Sequence, residues 1–166
     1  MVSADDILRL QIEQFRHDKR NHCDIANLHK GARLQHYGLH FCKYVGRLAR
    51  GPEELKSYER TVIDTALVSL SAANTLAQKL GETLERKPNA SAQLDPILVF
   101  ADAAGRFADA CEKFDHLEDV GDQARLANTD IFSWLLDIVD RRGFDLRTGI
   151  SVRRKELKER AFYASE

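Results

Sequence analysis

Helix-breaking residues are sparse in this chain, and this scarcity constrains its fold more than any other feature. Only three prolines and nine glycines occur in 166 residues. Between them the apolar residues recur at intervals of three and four, the spacing of one face of an α-helix. No segment alternates at period two for long enough to predict a sheet. We therefore predict an all-α fold, built as an antiparallel bundle of about six helices.

Caps and helix-breaking residues set the predicted boundaries. Ser3 and Asp6 resemble a capping box, and Gly51-Pro52 ends one helix and opens the next. Asp95-Pro96 is a cap and first-turn pair for the fourth helix, and Gly143 supplies a left-handed stop. The first predicted helix starts at Ser3 and precedes the polar stretch 17–23. The last one follows Asp145. The four helices between them are predicted to span about 24–50, 53–86, 96–117 and 124–142.

The apolar residues predict which helix faces are buried. In the first helix these residues are Ile7, Leu10 and Phe15. Residues 61–77 of the third helix are apolar on most faces, so this helix should lie at the centre of the bundle. Large aromatics in the fifth helix, Phe132 and Trp134, are predicted to pack in the core. The stripe predicted for the second helix comprises Ile25, Leu28, Ala32, Leu39 and Cys42.

The length of the chain predicts one helical domain over residues 1–166, with an irregular linker at 87–95. Two segments, 24–86 and 96–146, read as related helical hairpins. Gly38 and Asp64 are 26 residues apart in the first, and Gly105 and Asp130 are 25 apart in the second. A duplicated hairpin explains this spacing, and chance similarity is the alternative.

Composition limits the classes of partner. Lysine and arginine number 25 against 26 aspartates and glutamates, so the net charge of -1 gives no general reason to bind nucleic acid or an anionic membrane. Three dispersed cysteines fit a reducing compartment, and no apolar run is long enough to span a membrane. We predict a cytoplasmic protein without a membrane span or a dedicated nucleic-acid surface. The apolar third helix favours a homo-oligomer.

The segment DIFSWLLDIVDRRGFDL, residues 130–146, and the basic KELKERAFY that follows resemble the MazG-like all-α nucleoside triphosphate pyrophosphohydrolases. The resemblance covers roughly residues 102–163. It implies a nucleotide ligand and a magnesium cofactor, which carboxylates of the family hold so that water attacks between the α and β phosphates. It also implies that Lys155 and Arg160 of the last helix contact the phosphates.

Most of the carboxylates that the resemblance requires are missing. The Glu-Glu-x-x-Glu positions fall on Asp102, Ala103 and Arg106, and the Glu-x-x-Asp positions fall on Ala127 and Asp130. In the first hairpin the corresponding positions retain one acid, Asp64. Two hypotheses follow: a divergent metal-dependent pyrophosphohydrolase, or a non-catalytic helical module of the same fold that binds a nucleotide or a protein.

The remaining carboxylates have two interpretations. Asp102, together with Asp109 and Glu112, can join Asp130 and Asp64 in a metal site between the hairpins. Alternatively, the spacing of Asp102 to Arg106 and of Asp109 to Lys113 is that of exposed helical ion pairs. Asp64 and Asp130 lie within apolar helices, so each requires a basic side chain, a helix terminus or a metal as its partner.

Histidines form a second candidate site. His22, His29 and His36 are spaced by seven, and His40 follows His36 by four, so they share one face of a continuous helix. His36 and His40 can bind one transition metal with Asp64 as a third ligand, or they can simply edge the helix. Lys43, near Tyr37 and Arg47, is a candidate phosphate contact, and its alternative is a solvent-facing side chain.

Overall fold

The structure is a computed structural model that describes residues 3–85, 95–114 and 120–160. These ranges contain eight α-helices and no β-strand, which confirms the all-α prediction. None of the helices within them is both long and apolar enough to cross a membrane. The helices are α1 Ala4–Asn21, α2 Cys23–Ala26, α3 Lys30–Arg50, α4 Tyr58–Thr75, α5 Leu80–Glu85, α6 Pro96–Phe114, α7 Gly121–Arg142 and α8 Leu146–Arg160.

Several predicted helix ends are confirmed by side-chain or backbone geometry. The Ser3 side chain accepts from the Asp6 amide, and the Asp6 side chain completes the capping box. Asp95 Oδ1 accepts from the Ile97 amide at 2.8 Å, and Gly143 ends α7 with a φ of 68°. Residues 87–94 of the predicted linker, and the predicted end of the fourth helix at 115–117, lie outside the described residues.

Two predicted helices are each divided, and both predictions were wrong in this respect. The second ends at Ala26 and restarts at Lys30, because the His29 side chain accepts from the Ala32 amide and caps α3. The third starts at Tyr58, after a short 3-10 turn at Gly51–Glu53, and breaks after Thr75. At that break Ala77 adopts a φ of 51°, a left-handed conformation that no α-helix continues through.

The buried face of α3 also differs from the prediction. Leu39 is 71% exposed and Leu28 is 40% exposed. Cys42 is also exposed, so the predicted stripe faces largely outward. The first helix differs in the same way, because Phe15 is 48% exposed. The residues of α3 that are buried instead are Leu34, Tyr37, Gly38, Phe41, Tyr44 and Leu48.

α4 lies at the centre of the bundle, as its composition predicts. It packs against α1, α3, α7 and α8, and its two outer neighbours α3 and α7 pack in turn against α6. α3 and α4 are antiparallel, since Arg47 contacts Asp64 and Tyr37 hydrogen-bonds Thr75. α6 and α7 are antiparallel as well, since Arg106 contacts Asp130 and Phe100 stacks on Trp134. The origin of the two pairs by duplication stays a prediction.

Aromatic side chains join the helices in the core. Phe41 of α3 and Phe107 of α6 meet edge to face with ring centroids 5.1 Å apart. Phe100 of α6 stacks on Trp134 of α7 at 4.4 Å. Phe132 and Trp134 are buried, which confirms their prediction as core residues.

A buried network of amide and hydroxyl groups holds the α4–α5 break in place. Gln78, within the break, donates to Thr129 Oγ1 at 2.8 Å, and Asn128 donates to Gln78 Oε1 at 3.0 Å. Gln11 of α1 donates to the Gln78 carbonyl at 2.8 Å and accepts from the Leu80 amide at 3.0 Å. Because each polar group is paired, the network fixes α1 and α7 against the end of α4 without an unsatisfied group.

Candidate functional site

A cavity of about 330 Å³ opens between α1, α2, α3, α4 and α8. Its volume lies in the range of small-molecule binding sites. Side chains from five separate helices form its wall, and the polar ones outnumber the apolar ones. The polar and titratable residues of the lining are Gln14, Asp18, His22, His36, Tyr37, His40, Lys43, Tyr44, Arg47, Asp64, Ser71, Arg153 and Arg160.

The cavity is electropositive. Its lining includes four cationic side chains, Lys43, Arg47, Arg153 and Arg160, against two carboxylates, Asp18 and Asp64. Without counting the histidines, the excess is two positive charges. The chain as a whole carries a net charge of -1, so positive charge is concentrated at this site.

Asp64 anchors the arginines of the cavity. Arg153 Nε donates to its Oδ1 at 2.6 Å, and Arg47 Nη1 donates to its Oδ2 at 3.3 Å. Arg60 Nε lies 3.5 Å from Oδ1. The side chains of Asp64 and Arg153 are only 9% and 10% exposed. Asp64 therefore holds guanidinium groups from α3 and α8 in fixed positions at one end of the cavity.

The two ends of the cavity differ in charge, and α4 sets their separation. Asp64 and Ser71 lie on its cavity face seven residues apart, about 10 Å along the axis, with Leu67 and Val68 between them. α8 runs antiparallel to α4, since Gly149 approaches Ile63 and Glu156 pairs with Arg60. Arg47 and Arg153 lie at the Asp64 end, which we call the basic end. Ser71 and Asp18 mark the opposite end.

His40 connects two donors at the basic end. Its Nδ1 lies 3.0 Å from the Tyr44 hydroxyl and 3.1 Å from Lys43 Nζ. Burial, with the neighbouring Lys43 and His36, lowers the pKa of His40 to about 4, so its imidazole is neutral at pH 7. Burial raises the pKa of Tyr44, whose hydroxyl therefore keeps its proton. The neutral ring accepts at Nδ1 and carries its proton on Nε2.

Lys43 lies in the field of the arginines. Burial first, then Arg47 and Arg153, lower the pKa of Lys43, while Asp64 raises it. In the part of the chain that the structure describes, neither Lys43 nor Arg160 forms an ion pair with a carboxylate. Both predicted phosphate contacts therefore line the cavity with their charge available. Lys155, the third, lies outside the lining, and exposure does not distinguish it, because Lys43 and Arg160 are also exposed.

The carboxylates predicted as metal ligands have arginine partners. Asp102 and Asp130 share Arg106, whose Nη2 lies 2.9 Å and 2.6 Å from them, and Asp64 is held by Arg153 and Arg47. Asp102 with Arg106, and Asp109 with Lys113, form the predicted i,i+4 ion pairs. A guanidinium on each carboxylate does not fit a magnesium site, which requires those oxygens as ligands.

The histidine pair also lies in surroundings that oppose a cation. His36 and His40 have ring centroids 4.6 Å apart, but Lys43 Nζ contacts His40 Nδ1. Among the described residues, no group of three histidine, cysteine, aspartate or glutamate side chains is arranged to hold a metal ion. The magnesium and transition-metal assignments stay predictions. The predicted continuous histidine face was wrong, because His22 and His29 flank separate helices.

Sequence reasoning missed Asp18, Ser71 and Arg153 as site residues. The sequence does contain a signal for Asp18. Beyond Leu10, the buried face of α1 continues with two polar residues, Gln11 and Gln14, where apolar residues are expected, which indicates that this face borders a polar site. Arg153, Leu157 and Arg160 share one face of α8 at spacings of four and three. A mixed basic and apolar stripe of this kind indicates a charged cavity wall. Lys155 does not belong to this stripe.

Comparison with protein-family models, with curated proteins and with solved structures finds no significant match to this chain. The resemblance to the MazG-like pyrophosphohydrolases therefore stays a prediction.

The neutral histidines predict a stability that declines in mild acid. Burial lowers the pKa of both His17 and His40 from 6.5 to about 4. Between pH 4 and pH 6.5 the unfolded chain binds more protons than the folded chain. The contribution of each histidine to the free energy of unfolding is therefore complete above pH 6.5 and is lost as the pH falls toward 4. After allowance for solvent screening, we expect each histidine to account for about 1 kcal/mol of the loss between pH 7 and pH 5.

The measurement is urea unfolding of the wild type and His40→Gln at pH 7 and pH 5. The variant is expected to lose about 1 kcal/mol less than the wild type over this interval. Equal losses in the two proteins would show that His40 is not held neutral by the fold.

Proposed function

We propose that this chain is a helical binding protein for a nucleoside phosphate, with the phosphate at the basic end of the cavity. The observation that carries the proposal is the excess of two positive charges among the lining residues. A phosphomonoester carries between one and a half and two negative charges at about pH 7, so its charge matches this excess. Arginine and lysine supply the donors that phosphate oxygens accept.

The cavity also offers surfaces for the rest of a nucleotide. Leu67 and Val68 form an apolar floor between Asp64 and Ser71, and rings of His36, Tyr37 and Tyr44 line the α3 wall. Such surfaces bury a ribose and a base, which a site for inorganic phosphate alone does not need. This combination supports an organic phosphate as the ligand.

Binding without catalysis is favoured over hydrolysis. A pyrophosphohydrolase of the kind that the sequence resembles needs carboxylates to hold magnesium. Here Asp64, Asp102 and Asp130 accept from arginines, and the cavity presents cationic groups to its ligand. These groups attract the ground-state phosphate directly, so binding requires no metal.

The test is isothermal titration calorimetry without divalent metal, using inorganic phosphate, ribose 5-phosphate and nucleoside mono-, di- and triphosphates. We expect a nucleotide to bind more tightly than inorganic phosphate, with an affinity that falls as salt increases. Adding magnesium should not strengthen binding. Failure of every nucleotide to bind would overturn the proposal, and binding only with magnesium together with pyrophosphate release would favour the hydrolase.

Substitution of one lysine at a time should show whether the phosphate binds in the cavity or on the basic C-terminal segment. Lys43→Met removes a charged donor at the basic end and is expected to weaken nucleotide binding about tenfold or more. Lys155→Met makes the same change on an exposed residue outside the lining and should alter the affinity by less than about twofold. The reverse order would place the phosphate on the outer face of α8, as the family resemblance implies.

A further inference from the structure

The end of the cavity opposite the arginines presents a carboxylate in a fixed orientation. Asp18 Oδ1 accepts from Gln14 Nε2 at 2.8 Å, and Asp18 Oδ2 accepts from Ser71 Oγ at 2.6 Å. Each carboxylate oxygen can accept about two hydrogen bonds, so each keeps one further position. Because Asp18 lines the cavity, it offers a ligand two adjacent acceptors whose geometry the protein sets.

No basic side chain of the described residues neutralises this carboxylate by direct contact. Its electrostatic neighbours are His22 and Arg154, and the Arg154 guanidinium donates to Glu13, Gln14 and the Leu10 carbonyl. Burial raises the pKa of Asp18, which reflects the cost of keeping its charge away from water. A ligand that donates to both oxygens would offset that cost, and a ligand that presents acceptors there would be repelled.

We infer that the ligand is a guanine nucleotide, whose base donates N1–H and N2–H to the two oxygens of Asp18 while its phosphate lies at the basic end. The inference rests on the proposed function and adds the identity of the base. Guanine alone among the common bases presents two adjacent donors on its Watson–Crick edge. Adenine and cytosine place an acceptor nitrogen beside the amino group, and uracil places carbonyls on both sides of its N–H.

The dimensions of the cavity agree with this orientation. Ser71 and Asp64 are separated by two turns of α4, about 10 Å, which is comparable to the span from the Watson–Crick edge of a nucleotide to its 5′-phosphate. Tyr37 and His36 lie on the α3 wall toward the Asp18 end, since Tyr37 hydrogen-bonds Thr75 near the end of α4. Their rings are placed to contact a base held by Asp18.

The first experiment needs no variant. Guanosine and inosine nucleotides of the same phosphate length differ only in the 2-amino group, so the ratio of their dissociation constants isolates one donor. We expect the wild-type protein to bind the guanosine nucleotide about tenfold or more tightly, the effect of one hydrogen bond to a charged acceptor. Equal affinities would overturn the inference and leave the proposed function standing. Failure of the guanosine nucleotide to bind while another nucleotide binds would also overturn the inference, and failure of every nucleotide and of ribose 5-phosphate would overturn the proposed function itself.

Asp18→Asn then tests the residue. It replaces one acceptor oxygen with an amino group, which repels the N–H donors of guanine. The dissociation constants of the inosine and guanosine nucleotides should then differ by no more than about twofold. Affinity for ribose 5-phosphate should not change, because that ligand occupies the basic end. Asp24→Asn makes the same change on an exposed acid outside the lining and should keep the full ratio.

Ser71→Ala is the second variant, in case Asp18→Asn does not fold. It retains the carboxylate but removes the hydroxyl that orients Oδ2. The preference for guanosine should decrease without being lost. A preference that is unchanged in both folded variants would show that Asp18 does not read the base.

Discussion

Asp64→Asn is expected to destabilise the protein by about 3 kcal/mol, among the largest effects of any single substitution in the chain. The amide keeps the shape of the carboxylate but removes its charge. Arg47, whose side chain is 17% exposed, would then lose its carboxylate partner, and Arg153, which is 10% exposed, would keep only the more exposed Glu156 at 3.1 Å. Breaking a buried ion pair by removing one partner leaves an uncompensated charge, and that penalty outweighs the lost hydrogen bonds.

The matched control is Asp137→Asn. Asp137 pairs with Arg141 at 2.8 Å, but the two side chains are 48% and 51% exposed. Water screens such a pair, so we expect a loss below about 0.5 kcal/mol. Both variants are measured by urea unfolding at neutral pH, comparing midpoints at constant slope.

The sign of the Asp64→Asn effect separates two roles of the residue. If Asp64 belonged to a cluster of carboxylates awaiting a metal, neutralising it would relieve repulsion and stabilise the metal-free protein. If it holds Arg47 and Arg153, neutralising it must destabilise the protein. A variant as stable as the wild type, or more stable, would contradict the ion-pair assignment and return Asp64 to the set of metal ligands.

The sequence predicted the parts of the fold that depend on neighbouring residues. The capping box of Ser3 and Asp6, the cap at Asp95 and the stop at Gly143 are all local geometries. The central position of α4 followed from apolar residues around most of its surface. These features are encoded within a few residues, so no knowledge of tertiary structure is needed to predict them.

The site could be predicted only in part, because its residues come from five helices. Lys43 and Arg160 were identified from the sequence. Lys43 of α3 lines the same cavity as Arg153 and Arg160 only because α8 packs against α4. The carboxylates were expected to bind metal because the pattern of acids resembled a family motif. Asp102 has the predicted Arg106 four residues away, but a partner of Asp64 is distant in sequence, since 89 residues separate Asp64 from Arg153.

The buried face of α3 was predicted wrongly for a physical reason. Its true stripe runs Leu34, Tyr37, Gly38, Phe41, Tyr44 and Leu48, at spacings of three and four. Two tyrosines and a glycine occupy positions where aliphatic residues were sought. The tyrosines bury their rings against the core and turn toward the cavity, so the same residues serve packing and the site. A second set of apolar residues, including Leu39, then gave a competing stripe.

Two leucines of α3 test this reassignment, and their substitution gives the second large effect. Leu34 is fully buried, with 0% exposure, whereas Leu39 is 71% exposed. Leu34→Ala should cost about 2–5 kcal/mol, because it removes buried methyl groups and leaves a cavity in the core that the packed helices cannot fill. Leu39→Ala should change the free energy of unfolding by less than about 0.5 kcal/mol.

Both variants make the same chemical change in the same helix, so helix propensity and side-chain size cancel in the comparison. The measurement is the urea midpoint of each variant, with far-ultraviolet circular dichroism to verify that the helices remain. Similar losses in the two variants would mean that Leu39 is covered in solution, as it would be in a homo-oligomer packed through this face of α3. Dependence of the Leu39→Ala loss on protein concentration would then identify that interface, because only an associating surface couples stability to concentration.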